Sequence, residues 1–367
     1  MDDVLGVAEK FTFSGKITKV CDFGNGNINK TYLATLDSER EGHFILQRIN
    51  TQVFHKPELI MENMQVITGH ISERLRHSGI SDGRRWEVPR IIVARDGKDH
   101  WIDSDGSFWR AISYIDNART FDTIKDIRHA EETGYALGMF HNLISDLSPA
   151  RLVDTLEGFH ILPRYLQHYD EVLRLKSIMK SQEVDYCLQF VDSRSARSHI
   201  LERARSEGKL LLRPIHGDPK VNNIMIDNVT GHAVGMVDLD TVKPGLVHYD
   251  IGDCLRSGCN PLGEETENWE MVRFEPDLCE AILRGYITVA RQFLTLHDYD
   301  YLYDAVRLIA FELGLRFFTD YLEGNVYFKV KHPEQNLARA LVQFRLVESI
   351  ESRKETISSI VSDLRCS

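Results

Sequence analysis

The sequence predicts an α+β protein of two lobes: a small, antiparallel β-rich lobe over residues 1–115 and a larger, mainly helical lobe over residues 116–367. Three observations carry that expectation. Up to residue 115 the apolar residues alternate in short runs separated by Gly, Asn and Asp-Gly turns, the period of half-buried strands. One long amphipathic helix interrupts those runs. Beyond IDNARTFD the period becomes helical, with only three short strand-like runs, LLLRPIH, NIMID and AVGMVDLD, embedded in it. The length agrees, since 367 residues suffice for two units of roughly 150 each. A cleft between two such lobes is a common ligand site.

In chain order, GKITKVCDFG and KTYLATLD read as two strands joined through the turn GNGNIN, and GHFILQRIN reads as a third. In KPELIMENMQVITGHISERLRH, Leu59, Met61, Met64, Val66, Ile67, Ile71 and Leu75 recur at helical spacing. VPRIIVARDG and HWIDSDGSFWRAISYID are further strands. The second lobe opens with the amphipathic helix DIRHAEETGYALGMFHNLISDL. Helices follow in PRYLQHYDEVLRLKSIMKS, VDYCLQFVDSRSARSHILERARSEG, PDLCEAILRGYITVARQFLT, YLYDAVRLIAFELGLRFFTDYLEG and NLARALVQFRLVESIESRKETISSIVSDLRC. There is no internal repeat and no low-complexity segment.

Hydrophobic residues make up 43% of the chain, enough for a sizeable core and too many for a disordered one. A net charge of -11 argues against nucleic acid or an anionic membrane as a partner. It leaves room for an anionic ligand held by a local cluster of donors or by a metal. The six cysteines, Cys21, Cys187, Cys254, Cys259, Cys279 and Cys366, form no CxxC and read as reduced thiols. The acidic start MDDVLGVAEKFTFSG has no apolar signal core, and no stretch approaches the ~20 apolar residues of a membrane span. A soluble, cytoplasmic protein is expected, with a charge compatible with a monomer.

The chemistry concentrates in RPIHGDPKVNNIMID. LLLRPIH delivers His216-Gly217-Asp218 to a strand end, and five residues after Asp218 Asn223 opens NIMID. The turn DNVTGH then reverses the chain into AVGMVDLD, which ends at Asp238 and Asp240. A hairpin with Asp218 and Asn223 at its start and Asp238 at its end brings the three side chains together. Phosphoryl transfer uses that set. One carboxylate orients the attacking hydroxyl and accepts its proton, while an amide oxygen and a second carboxylate hold Mg2+. Each piece alone has a plainer meaning. HGD is a strand-end turn, Asn222 and Asn223 satisfy turn backbone, and Asp238 and Asp240 cap a strand. Their joint spacing favours the catalytic reading for Asp218, Asn223 and Asp238. Asn222 remains a turn residue and Asp240 has no assigned role.

The pattern H-x-D-x-x-x-x-N followed by an apolar-Asp segment resembles the catalytic and metal loops of the protein kinase-like superfamily. The Gly of HGD and the downstream YDIGD resemble its aminoglycoside phosphotransferase branch. Within that branch, FILQRINTQVF, KVNNIMIDNVTG, VDLDTVKPG and DYLEGNVYFKVKHPEQNL resemble the bacterial N-acetylhexosamine 1-kinases, over about residues 5–350. The resemblance implies a protein kinase-like two-lobed fold, ATP and Mg2+ as cofactors, and phosphorylation of the C1 hydroxyl of GlcNAc or GalNAc. It implies Asp218 as catalytic base, Asn223 and Asp238 as metal ligands, and Asp250 of YDIGD as a brace for the catalytic loop.

A Gly-rich hairpin lets backbone N–H groups approach phosphates, although an Asn-Gly turn is also an ordinary hairpin device. Its place in the first lobe favours nucleotide binding for Gly24, Asn25, Gly26 and Asn27, with Asn29 as a further donor. WRAISYIDN resembles the hinge between lobes, so backbone at Ser113 to Ile115 is expected to meet adenine. The same resemblance implies that Arg316 and Tyr327, with Asp218, are sugar-contacting residues. The i, i+4 spacing of Glu312, Arg316 and Asp320 reads on its own as an intrahelical ion-pair ladder. His160 and Arg164 either border the acceptor pocket or belong to a polar loop with a satisfied core histidine. His141 reads as a core residue, and RSARSHILERAR as a solvated helix face.

One departure stands out. The third strand of kinase-like folds carries a Lys that pairs with phosphates and with a helix Glu. Here Gln47 holds that position with Arg48 beside it, and strand alternation sends them to opposite faces. Gln47, a neutral donor, is expected in the cleft, and Glu62 is then a solvated helix residue. The N-acetylhexosamine 1-kinases resemble this chain in having a neutral residue there. Three rival functions remain. One is a kinase of choline, homoserine, methylthioribose or an aminoglycoside, and another is a catalytically silent nucleotide-binding module. The third, a metallophosphoesterase, needs DxH and GNH-type clusters that the sequence lacks.

Overall fold

In the computed structural model, which describes residues 4–24, 28–38, 42–78, 83–176 and 181–366, the alternating runs of the first lobe become one antiparallel sheet. Helix α1 (Val4–Ala8) precedes strands β1 (Ile17–Asp22), β2 (Lys30–Leu36) and β3 (His43–Arg48). Helix α2 (Pro57–Ser78) follows, then β4 (Ile91–Ile92), β5 (Trp101–Ile102) and β6 (Phe108–Ser113). The spatial order is β1-β2-β3-β6-β4, and β5 also pairs with β6.

Side-chain alternation gives this sheet two different faces. Phe44, Leu46, Trp109 and Ala111 pack on one face with Val7 and Phe11. The other face carries Ile45 and Gln47 of β3 and Arg110 and Ile112 of β6. Register aligns these into two cross-strand rows. Leu33, Ile45 and Ile112 form an apolar row, and Thr31, Gln47 and Arg110 form a polar one. Met64 of α2 covers the apolar row, clustering with Ile45 and Ile112.

The second lobe starts at β7 (Ala118–Arg119), which pairs with a strand more than a hundred residues later in the chain. Its helices are α3 (Ile127–Ile144), α4 (Leu162–Leu175), α5 (Gln182–Arg194) and α6 (Ile200–Ser206). Strands β8 (Arg213–Ile215), β9 (Ile224–Asp227), β10 (Ala233–Met236) and β11 (Lys243–Gly245) come next. Helices α7 (Val247–Gly258), α8 (Pro276–Ala290), α9 (Leu296–Asp300), α10 (Leu302–Glu323), α11 (Gln335–Ser352) and α12 (Lys354–Cys366) complete the chain. Strands pair as β10-β9-β7 and as β11-β8. The stretch read as one helix around SRSARSHIL is two, α5 and α6, parted by a 3-10 turn at Ser195–Arg197. Leu201 and Ala204 of α6 are buried, so only part of that segment is a solvated face.

Helix α3 starts at Asp126, whose carboxylate accepts the His129 N–H. It packs on α8 with backbones almost touching, because a Cβ at Gly134 would lie 1.8 Å from the Ile282 carbonyl oxygen. That close approach also brings Tyr286 of α8 to His141 of α3. Among the described residues no helix is long and apolar enough to cross a membrane.

Candidate active site

The loop that carries Asp218 leaves β8 with a turn that only glycine accommodates. Gly217 has φ +86, and a Cβ there would sit 2.5 Å from the Thr241 carbonyl oxygen. Gly217→Ala is therefore expected to cost at least ~1–2 kcal/mol for the left-handed backbone, plus the cost of displacing Thr241. Denaturant unfolding measures that loss, and a parallel fall in kcat reports the displacement of Asp218.

Neighbouring groups hold the loop from beneath. His216 is fully buried, and burial lowers its pKa despite the nearby Asp250 and Asp218 carboxylates. Its Nε2 donates to the Val237 carbonyl at 3.1 Å, and its Nδ1 accepts the Asp218 N–H at 3.3 Å. Both bonds are met by one neutral tautomer. Asp250, in the first turn of α7, accepts the N–H groups of His216 at 2.6 Å and Gly217 at 2.8 Å. Burial would raise its pKa, but the His141 hydrogen bond and charge, with the His216 N–H, bring it below the usual range. His141 lies in the core as expected and also serves this brace: its Nε2 is 2.8 Å from Asp250 and its Nδ1 is 3.0 Å from the Tyr286 hydroxyl.

Asp218 emerges from the braced turn into the cleft. The Asn223 amide nitrogen donates to its carbonyl at 2.7 Å and to its carboxylate at 3.1 Å. That use of the nitrogen leaves the amide oxygen as the atom Asn223 has for a cation. Lys220 Nζ lies 2.8 Å from the Asp218 carboxylate. Burial disfavours the charge on Lys220, yet Asp218, Asp238 and Glu264 together raise its pKa. Lys220 carries no role in the sequence reading, although it stands two residues after Asp218 in the quoted motif.

Asp238 takes a left-handed conformation, φ 66 and ψ 59, at the end of the hairpin, and is exposed. The surrounding protein, then Asp240 and Asp218, push its carboxyl up to about 7 against the opposing pull of Lys220 and Arg110. Solvent reaching the group screens that push, but its direction follows from three carboxylates sharing one site. Such a site suits a hard cation. Asn223 and Asp238 supply oxygen donors, in keeping with Mg2+, which takes one or two protein carboxylates and fills its shell with phosphates and water.

Asp240 is buried in an ion pair with Arg110 of β6. Its second oxygen accepts from the Asn29 amide at 2.6 Å. Gln47 lies on the same face as Arg110, as alternation requires, while Arg48 lies over Trp109 with its guanidinium 6.0 Å from the ring centroid. Gln47 is already engaged within the small lobe. Its oxygen accepts from Arg110 Nε at 2.9 Å and Nη2 at 2.7 Å, and its nitrogen donates to the Thr31 hydroxyl at 3.1 Å. Glu62 is exposed, as expected without a lysine partner. Its neighbour Asn63 turns inward instead, donating to the carbonyls of Val153 at 2.7 Å and Val242 at 2.8 Å.

Gly24 has φ +73 in the β1–β2 connection, and Asn25, Gly26 and Asn27 lie outside the described residues. Ser113 N–H donates to the Arg90 carbonyl at 2.8 Å, so that group belongs to the sheet and is not available to a base. The Ile115 side chain packs with Ala118, Met225 and Val234 where the lobes join.

A cavity of about 110 Å³ lies beside Asp218, lined among others by Lys220, His160, Glu312, Arg316 and Tyr327. A larger groove of about 590 Å³ between α4 and α5 holds none of these groups. The ion-pair ladder of α10 does not form. Glu312 pairs with His160 at 3.0 Å. Asp320 instead accepts the backbone N–H groups of Val326, Tyr327 and Phe328, fixing the segment that presents Tyr327. Arg316 sits among the rings of Phe159, Tyr165, Tyr327 and Phe328, its guanidinium carbon 4.9 to 5.8 Å from their centroids. His160 is buried on the cavity wall with Nε2 donating to the Gly217 carbonyl at 2.7 Å, so it serves both readings given for it. Arg164 pairs with exposed Glu157 and is not among the lining residues.

The chain matches the phosphotransferase enzyme family over residues 19–294. It belongs to that family. Solved structures of similar fold include the microcompartment-associated aminopropanol kinase, with 17% identity, a TM-score of 0.63, and coverage of 97% of this chain and 98% of the other. Choline kinase from Cryptosporidium parvum is similar at 13% identity and TM-score 0.58, covering 95% and 92%. A spectinomycin phosphotransferase in complex with ADP and spectinomycin is similar at 15% identity and TM-score 0.51, covering 94% and 95%. This phosphotransferase therefore shares the two-lobed, kinase-like α+β fold of those enzymes.

Proposed function

We propose that this phosphotransferase is an ATP-dependent kinase that places a phosphoryl group on the C1 hydroxyl of an N-acetylhexosamine, GlcNAc or GalNAc. The observation that carries the kinase reading is the convergence of Asp218, Asn223 and Asp238 on one braced loop and hairpin. Asp218 orients the acceptor hydroxyl and takes its proton. Lys220, beside it, offsets negative charge on the transferred phosphoryl group. Asn223 and Asp238 hold Mg2+, which when bound neutralises triphosphate charge. Positioning and charge stabilisation supply most of the rate in such a reaction.

Arg316 favours a neutral acceptor. The four rings around it form the kind of box that elsewhere receives a cationic ligand, and here the protein's own guanidinium fills it. A second cation in the small cavity would meet that charge at short range, whereas sugar hydroxyls accept from its N–H donors. Arg316→Ala is expected to raise the sugar KM by about 10–100-fold, the scale of hydrogen bonds to a charged group, with the ATP KM unchanged.

The second reading is a kinase of an amino alcohol or an aminoglycoside. The acceptors named for the aminopropanol, choline and spectinomycin enzymes support it. Asp253, Glu264 and Glu312 on the cavity wall are consistent with it. A panel of N-acetylhexosamines, choline, ethanolamine, aminopropanol, homoserine and aminoglycosides with Mg-ATP separates the two, with the phosphate position assigned by NMR. Turnover on amino alcohols with none on sugars overturns the sugar assignment and leaves the kinase standing.

A further inference from the structure

The kinase fold needs a fixed positive charge on the nucleotide side of its small lobe, and β3 of this chain carries the neutral Gln47 where that lysine is expected. The cross-strand register supplies a candidate. Arg110 of β6 lies directly opposite Gln47, on the same face of the sheet, and is 1% exposed. Cross-strand partners stand close enough for their side chains to interact. Here the amide oxygen of Gln47 accepts two N–H groups of the guanidinium, which holds the fork in one orientation.

That orientation delivers Nη2 to Asp240, two residues beyond Asp238 and in the other lobe. The second Asp240 oxygen takes the Asn29 amide, and the Asn29 oxygen accepts the Asn50 N–H at 2.9 Å. The Thr155 hydroxyl holds the Asp240 carbonyl at 3.0 Å. One buried ion pair thus ties together the sheet, the loop carrying Asp238, and the end of the Gly-rich hairpin.

We propose that Arg110 replaces the strand lysine as the positioning residue of the nucleotide site. Steadied by Gln47, it holds Asp240 and through it sets the spacing between the Asp238 loop and the hairpin at Asn29. Gln47 is then a strut whose loss is felt through Arg110. The inference rests on the kinase reading and is independent of which acceptor the enzyme uses.

The test reads nucleotide binding apart from stability. MgADP affinity is measured by calorimetry, and Tm without ligand, for the wild type, Arg110→Lys, Arg110→Met and the double variant Arg110→Met with Asp240→Asn. Arg110→Met is expected to weaken MgADP binding by about tenfold or more, the scale of hydrogen bonds to charged groups, and to lower Tm because Asp240 is left buried without its partner. Arg110→Lys keeps the charge without the fork and is expected to fall between Met and the wild type. The double variant is expected to regain Tm and still bind MgADP weakly. If Arg110→Met does not fold, the lysine and double variants carry the same comparison. MgADP affinity within twofold of wild type in the variants overturns the inference, and so does a double variant that regains affinity along with Tm. A wild-type protein that binds no MgADP overturns the kinase reading and this inference with it.

Discussion

Replacing Asp218 with Asn is expected to lower kcat by about 10²–10⁴-fold, the usual contribution of a positioned general base, with Tm little changed. Asn has the same size, and its amide oxygen can still accept from Lys220 and from the Asn223 nitrogen, both of which now reach the carboxylate. The turn beneath survives, because Asp250 and His216 hold it through backbone groups that the substitution does not touch. What is lost is the proton acceptor. The ATP KM is expected to stay near its wild-type value, since the substitution leaves Asn223 and Asp238 intact. Steady-state kinetics with saturating Mg-ATP, beside a thermal melt, checks both statements, and near wild-type turnover refutes the assignment of Asp218.

The second large effect belongs to Asp238. Asp238→Asn is expected to abolish Mg2+-dependent turnover, because one of two oxygen ligands loses its charge. It is also expected to leave the metal-free protein at least as stable as the wild type. The backbone at Asp238 is left-handed, with φ 66, a region Asn adopts as readily as Asp. The change removes one of three carboxylates, with Asp218 and Asp240, that oppose one another's charge. A melt in the presence of chelator, paired with a Mg2+ titration of activity, reads the two effects separately. An unfolded variant would show that Asp238 is structural.

The two lobes, the long helix α2 and the helix-rich second lobe follow from periodicity, because burial of one face leaves its mark every two or every 3.6 residues. The juxtaposition of Asp218 and Asn223 was equally legible. Asp218 and Asn223 are five residues apart, Asp238 lies at the far end of the same hairpin, and such local geometry is written in spacing and turn residues. The brace was legible in part. Asp250 was readable from YDIGD, while the contribution of His141 was hidden because a histidine on an apolar helix face looks the same whether or not a carboxylate meets it.

The opposite holds for the polar row of the small lobe. Alternation correctly placed Gln47 and Arg48 on opposite faces, but nothing along the chain states that Arg110 lies across from Gln47 or that Asp240 waits beyond it. Sixty-three residues separate the first pair and 130 the second, and their meeting depends on strand register and on how the lobes close. The helix ladder fails for a related reason. An i, i+4 spacing says that Glu312, Arg316 and Asp320 are able to pair, and each instead takes a partner from elsewhere: His160, the aromatic rings, and the backbone from Val326 to Phe328.

Fold class and the placing of Asp218 and Asn223 on one loop were thus set by neighbours in sequence, whose spacing confers their geometry. The Arg110–Asp240 pair, the engagement of Gln47 and the ring-lined seat of Arg316 were settled by packing. Arg110 and Asp240 lie far apart along the chain, and their attraction becomes strong only where folding brings them together away from the screening of water.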